Sequence, residues 1–174
     1  MQYLPGFDRF GAKNDILVCP NGEKGEDPHG QNTFTFSRAA LVAEVTEAVQ
    51  KAFKVRRTYV GGHSQGGFVT YSVIMQYPHL YDGALPMAGD CWMQNEPNLW
   101  EDKPETLARQ RKIAIAIIHG PSDPIVDFTA GEHAFDIFKV MGYRKLRLFA
   151  PKNLGHQFML SPVREALEWL DAMV

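Results

Sequence analysis

Cysteine is scarce in this sequence: Cys19 and Cys91 are the only two among 174 residues. They allow one bridge at most, so no disulfide framework substitutes for a core, and two buried thiols are the expected state. Metal-ligand spacing is missing too. There is no Cys-x-x-Cys and no histidine pair at helical spacing, so no metal is expected. Charge of one sign does not accumulate either. The 18 Lys and Arg against 20 Asp and Glu leave a formal net charge of −2, without a block of like charges. That excludes the electrostatic footprint of a nucleic-acid binder or of a protein drawn to an anionic membrane. Long apolar runs are lacking: Ile113 to Ile118 is among the longest and falls far short of a bilayer span. The opening Met1-Gln-Tyr-Leu-Pro5 is not a charged segment followed by an apolar one, so no secretory leader is read and the compartment stays open.

What remains is ordinary globular material, 45% hydrophobic and 22% charged, long enough for one domain with a real core. Residues 1–174 are therefore read as a single domain. Short apolar runs alternate with helical patterns, the mark of a mostly parallel sheet flanked by helices. About five strands are expected: Asp15 to Cys19, Arg57 to Val60, Gly83 to Ala88, Ile113 to His119 and Lys145 to Phe149. A long polar loop runs from Glu23 to Thr35. Ser37 is expected to cap a helix whose Leu41, Val45, Val49 and Phe53 share one face. Further helices are expected over Gly67 to Gln76, from a Thr129/Glu132 capping box to Val140, and from Ser161 as cap with Pro162 at the first helical position to Met173. The irregular stretch 89–112 reads as an insertion, a cap or pocket wall.

The chemistry is concentrated in Gly62-His63-Ser64-Gln65-Gly66, a G-x-S-x-G match that directly follows a β-branched strand and precedes a helix. Such a serine sits on a cramped strand-to-helix turn, its hydroxyl pushed above the sheet edge, and both flanking glycines are expected to be demanded by crowding. The turn also places backbone N–H groups after Ser64 at a helix N-terminus, ready for an anion. A serine hydroxyl needs a base, and the base an orienting carboxylate; where a nucleophilic serine sits on such a strand-to-helix turn, the chain order expected for the fold is Ser, Asp or Glu, His. Two later segments supply them at strand ends, His119-Gly-Pro-Ser-Asp123-Pro-Ile-Val126 and Asn153-Leu-Gly-His156. Asp90 and Asp127 compete with Asp123 for the acid. Among the other histidines, His63 and His119 read as structural, and His29, His79 and His133 carry no matching motif. Trp92, Trp100 and Phe128 are candidates for lining a substrate pocket above Ser64, although ordinary packing explains aromatics as well.

Gly61-Gly-His-Ser-Gln-Gly-Gly67, His119-Gly-x-x-Asp123-x-x-Val126 and Leu154-Gly-His156, in that order and at strand ends, resemble the α/β-hydrolase superfamily over Arg57 to Val174. The likeness is to bacterial esterases grouped with feruloyl esterases and polyhydroxybutyrate depolymerase-like proteins. It implies Ser64 as nucleophile, His156 as base, Asp123 as acid and the Gln65 N–H as one oxyanion donor. It also implies a serine carboxylesterase acting on small acyl or aromatic esters through an acyl-enzyme, without a cofactor. A thioesterase or peptidase on the same triad, or a catalytically weak binding module, stays open, as does a homo-oligomer.

The sequence departs from that family in lacking the N-terminal strands, including the one whose His-Gly turn gives the second oxyanion donor. With that strand missing, the runs at Ile16 to Val18 and Thr58 to Val60 are expected to close up by pairing directly, or to recruit a strand from a second molecule, because unpaired sheet edges are costly.

Overall fold

A computed structural model describes residues 15–20, 23–24, 32–33, 38–91 and 108–174. Contacts divide the chain into two compact units, Met1–Phe34 and Thr35–Val174. In the first, β1 (Glu23–Lys24) and β2 (Asn32–Thr33) form a short antiparallel pair inside the expected loop. The strand expected at Asp15 to Cys19 does not form: residues 15–20 carry no regular structure, and Ile16, Leu17 and Val18 are 50%, 55% and 42% exposed. A β-branched run becomes a strand only where a neighbour takes up its backbone groups and a layer covers its side chains.

The second unit runs α1 (Ala39–Ala52), β3 (Tyr59–His63), α2 (Gln65–Gln76), a 3-10 turn (Pro78–Leu80), β4 (Gly83–Met87), β5 (Ala114–Ile118), α3 (Phe128–Val140), β6 (Leu146–Phe149) and α4 (Leu160–Met173). Its sheet has four strands in the order β3-β4-β5-β6, all parallel. Four described strands therefore stand where about five were expected, and the helix-flanked parallel architecture is that of an α/β hydrolase. β4 and β5 are buried at every residue, as strands covered on both faces must be. Alternation along β5 divides its side chains. Ile113, Ile115 and Ile117 join Tyr71 and Met75 of α2 and Ala134 and Phe138 of α3 in one apolar cluster. Ala114, Ala116 and Ile118 face the other way, toward the layer where α4 packs on β5 and β4.

Several boundaries fall elsewhere than the sequence patterns place them. β3 continues through Gly61 and Gly62 to His63, because a Cβ at Gly61 would come within 3.1 Å of Leu85 on β4; the glycines serve close strand approach before they serve the turn. Asp127, not Thr129, caps α3, accepting from the Thr129 N–H at 2.9 Å and its hydroxyl at 2.6 Å. A carboxylate fixed by both groups of a residue two positions on displaces a bare hydroxyl as cap. α4 begins at Leu160 after an extended Met159 without a side-chain cap, so Ser161 and Pro162 lie within its first turn, where a missing proline N–H costs nothing. Ser37 lies outside the described residues. In α1, Ala39 and Ala43 are buried while Phe53, at the end of the expected apolar face, is 54% exposed. Neither cysteine is in a disulfide: Cys91 is buried, and Cys19 only half-buried, short of the expected burial.

Candidate active site

Parallel pairing sends the carboxyl ends of all four strands to one edge, and three of the connections there meet. The ladder extends one residue past the strands. Ser64 N–H donates to Met87 O (2.9 Å), Ala88 N–H to Ile118 O (2.9 Å) and His119 N–H to Phe149 O (3.0 Å). The residue following each of β3, β4 and β5 is thus held by the neighbouring strand before its connection departs.

Ser64 occupies the turn between β3 and α2 with φ 56° and ψ −119°, a region a non-glycine residue adopts only when its surroundings enforce it. The enforcement is visible in the glycines. A Cβ at Gly62 would overlap the Gly66 backbone, and one at Gly67 would lie 2.6 Å from Met87 O. At Gly66, by contrast, a Cβ meets nothing within 4 Å. The crowding expected of both motif glycines therefore belongs to Gly62 and Gly67, and Gly66 is not crowded. Gly67 is pressed in turn by Gly89, whose own Cβ would lie 2.8 Å from the Gly67 backbone. Ala88, just before it, also has a positive φ, 47°.

The structure brings Ser64, His156 and Asp123 together. The His156 Nε2 is 3.0 Å from the Ser64 Oγ. Its Nδ1 is 2.8 Å from Asp123 Oδ2 and 3.0 Å from Oδ1. The side chain of His156 is 20% exposed and that of Asp123 fully covered. Asp123 is held by its own turn: Oδ1 accepts from the N–H groups of Ile125 and Val126, each at 2.9 Å. Burial pushes its carboxyl up, but the hydrogen bonds from Val126, His156 and Ile125 outweigh it and hold the group below the usual carboxylate value. Neither rival acid is hydrogen-bonded to His156: Asp127 caps α3, and Asp90 lies beside Tyr71, whose pKa its charge helps to raise.

The Asp123 and His156 loops are pinned to each other. A Cβ at Gly120 would overlap the Leu154 carbonyl, and the Ser122 N–H donates to the same carbonyl at 3.3 Å. Gln65 is the first residue of α2, so its N–H belongs to the helix end that favours negative charge. Phe128, at the start of α3, sets its ring edge-on against His119 at 5.9 Å. Trp92 and Trp100 lie outside the described residues, as does most of the 89–112 insertion.

Three residues outside the relay contribute, two of them the histidines read as structural. His63 lays its ring against His156, 4.9 Å between centroids. Burial lowers its pKa, the His156 charge lowers it further, and a hydrogen bond with the His156 backbone opposes both. His119 is wholly buried beside Asp123. Gly120 is the tight point between two loops; its signal was a glycine immediately after a strand buried on both faces.

Solved structures with this architecture include the Zea mays acyl-protein thioesterase 2, with 21% identity, a TM-score of 0.68, and 87% of this chain aligned to 70% of that one. Another is the esterase PE8, with 19% identity, a TM-score of 0.61, and 90% of this chain aligned to 78% of the other. Among curated relatives, the Candida albicans acyl-protein thioesterase 1 is 18% identical over 85% of this chain and 65% of its own length. The Arabidopsis thaliana carboxylesterase SOBER1 is 24% identical over 74% of this chain and 54% of its own. The chain thus spans between half and two-thirds of these curated relatives. Residues 15–174 match the phospholipase/carboxylesterase family, and the chain belongs to it.

Proposed function

We propose that this chain is a serine hydrolase that cleaves carboxylic esters or thioesters through an acyl-enzyme on Ser64. The observation that carries the reading is the continuous relay of Ser64 Oγ, His156 Nε2, His156 Nδ1 and Asp123 Oδ2 at 3.0 and 2.8 Å. In the first half-reaction Ser64 Oγ attacks the acyl carbon while its proton passes to His156 Nε2. Asp123 stays ionised, accepts from Nδ1–H and steadies the imidazolium. The carbonyl oxygen, now an anion, lies at the N-terminal end of α2 with the Gln65 N–H as donor. The tetrahedral intermediate expels the alcohol or thiol. An alkoxide takes the proton from Nε2, whereas a thiolate can leave without it. Where a thiolate has left without it, that proton passes from Nε2 to solvent first. Water then gives a proton to the neutral nitrogen and attacks the acyl-serine carbon, and collapse of the second intermediate returns the proton to Ser64 Oγ as the acid leaves. No step needs a cofactor.

The finer reading divides by leaving group and acyl chemistry. The motif resemblance to feruloyl and polyhydroxybutyrate-depolymerase-like esterases favours small acyl or aromatic esters, with Phe128, Trp92 and Trp100 as candidate pocket walls. The thioesterase and carboxylesterase names among the relatives favour an acyl thioester or ester. Reaction with a fluorophosphonate tests the shared chemistry: one label per chain is expected, on Ser64. Labelling of Ser72 or Ser122 instead would overturn it. Turnover of paired p-nitrophenyl esters, the matching thioesters and a feruloyl ester then ranks the substrate classes. A chain that labels at Ser64 but turns over none of them is the binding-module alternative.

A further inference from the structure

We infer that His119 is a positioning residue for Asp123, holding the acid's turn closed through the Val126 carbonyl. The inference rests on the triad reading and extends it to a residue that is hydrogen-bonded to no member of the relay.

His119 follows β5 directly and is 0% exposed. Its Nε2 lies 2.9 Å from the Val126 carbonyl; a carbonyl can only accept, so the ring carries its proton on Nε2 and donates it there. Val126 is consequently gripped at both backbone groups, because its N–H donates to Asp123 Oδ1 at 2.9 Å. The turn from 123 to 126 is closed at one end by the carboxylate and at the other by the imidazole. With Oδ1 anchored by Ile125 and Val126, the carboxylate is presented to His156 Nδ1 with Oδ2 at 2.8 Å and Oδ1 at 3.0 Å. His119 Nε2 is also 3.7 Å from that same Oδ2, too far for a hydrogen bond, yet it sets a positive edge beside the covered side of the carboxylate.

The ring has no room to do otherwise. A Cβ at Gly131 of α3 would lie 2.8 Å from His119 Nδ1 and from its Cβ, so the helix backbone rests on the imidazole. Phe128 closes a further side, edge-on at 5.9 Å. Nδ1 has no hydrogen-bond partner among the described residues. A buried side chain that leaves one polar atom unpartnered pays a cost that a leucine of similar size would not. The compensating hydrogen bond goes to the turn that carries the acid.

His119→Leu keeps the bulk and removes the donor. His119→Gln returns a donor, its amide nitrogen standing where Nε2 stood. Gly131→Ala displaces the ring from the α3 side without altering any group of the site. The readouts are kcat per fluorophosphonate-titrated site, KM, the acid limb of the kcat/KM profile, and the downfield proton resonance of His156 Nδ1–H. The groups that set that limb are Asp123 and His63 facing His156, while Asp123 and Asp127 face His119. For His119→Leu, kcat per titrated site should fall roughly 10²-fold, the scale of a misplacement of about 1 Å, with KM little changed. The acid limb should move to lower pH, because a carboxylate that sits less well stabilises the imidazolium less. The resonance should broaden or vanish. His119→Gln should restore all three, and Gly131→Ala should move them in the same direction as His119→Leu, by less. Wild-type kcat per titrated site with an unmoved limb in His119→Leu would overturn the inference. So would a loss confined to the fraction of chains that can be titrated. If the wild type neither labels nor turns over, the hydrolase reading fails, and the His156 resonance still decides: its persistence in His119→Leu overturns the positioning role, its loss supports it.

Discussion

Each residue of the relay is set by a different physical device, which makes its loss distinguishable. Ser64 is held by backbone crowding at φ 56°, Asp123 by two N–H groups of its own turn, His156 by the contacts at both ring nitrogens. Ser64→Ala should remove fluorophosphonate labelling and lower any esterase rate by about 10⁶-fold, the scale seen when a triad nucleophile is lost. Asp123→Asn keeps the shape but reverses the hydrogen-bond demand on Nδ1, favouring the wrong tautomer, and should cost about 10⁴-fold in kcat. Asp90→Asn and Asp127→Asn, assayed beside it, should leave kcat per labelled site within a few-fold; a loss at either that matches Asp123→Asn would mean the acid is supplied from that position. These three residue types were legible in the sequence because the chemistry needs particular groups and this fold presents them in a particular chain order. His63 and His119 were read as structural, but what each touches was not legible, because a ring contact or a bond to a carbonyl leaves no pattern in a single sequence.

At the scale of elements, the pattern signals worked where burial was complete and failed where it was partial. A continuous apolar run gave β5, buried on both faces. The equally apolar Ile16 to Val18 formed no strand, since nothing in the run itself records whether a neighbour will pair with it. Caps moved by one or two residues because several polar groups compete for the same helix end, and Asp127 wins over Thr129 by reaching two donors at once. The elbow gives a sharper test. Sequence logic treats Gly62 and Gly66 alike, whereas only Gly62 and Gly67 are pressed by backbone. Gly66→Ala should therefore fold and label at Ser64 like the wild type. Gly62→Ala and Gly67→Ala should lose labelling, because the obstructing atoms are main chain and cannot swing aside. Rapid labelling of Gly67→Ala, or loss of labelling in Gly66→Ala with an intact circular dichroism spectrum, would show that the elbow is held by something else.

For the molecule as a whole, two groups at the site should tie stability to pH. Burial first, and then the charge of His156, lower the pKa of His63 below its usual 6.5, against the pull of a hydrogen bond with the His156 backbone and the Asp123 charge. As the pH falls, the unfolded chain binds a proton at His63 before the folded chain does. The stability held by the neutral ring is complete above the unfolded value and is lost as the pH drops from 6.5 toward the lower folded pKa. Asp123 acts further down. Its folded pKa lies below the usual 3.8, so its contribution is present above 3.8 and is lost as the pH falls from there through the folded value. Thermal unfolding should accordingly show two declines in Tm, one in mild acid and one in strong acid, with a shallower slope between them. His63→Phe keeps a ring against His156 but cannot take up a proton. It should flatten the first decline, which sets in as the pH falls through 6.5, and leave the second in place, whereas Asp123→Asn should flatten the second and leave the first. Scanning calorimetry from neutral into mild acid checks the sign directly: if the Tm of His63→Phe falls as steeply as that of the wild type once the pH drops below 6.5, the mild-acid loss does not arise at His63.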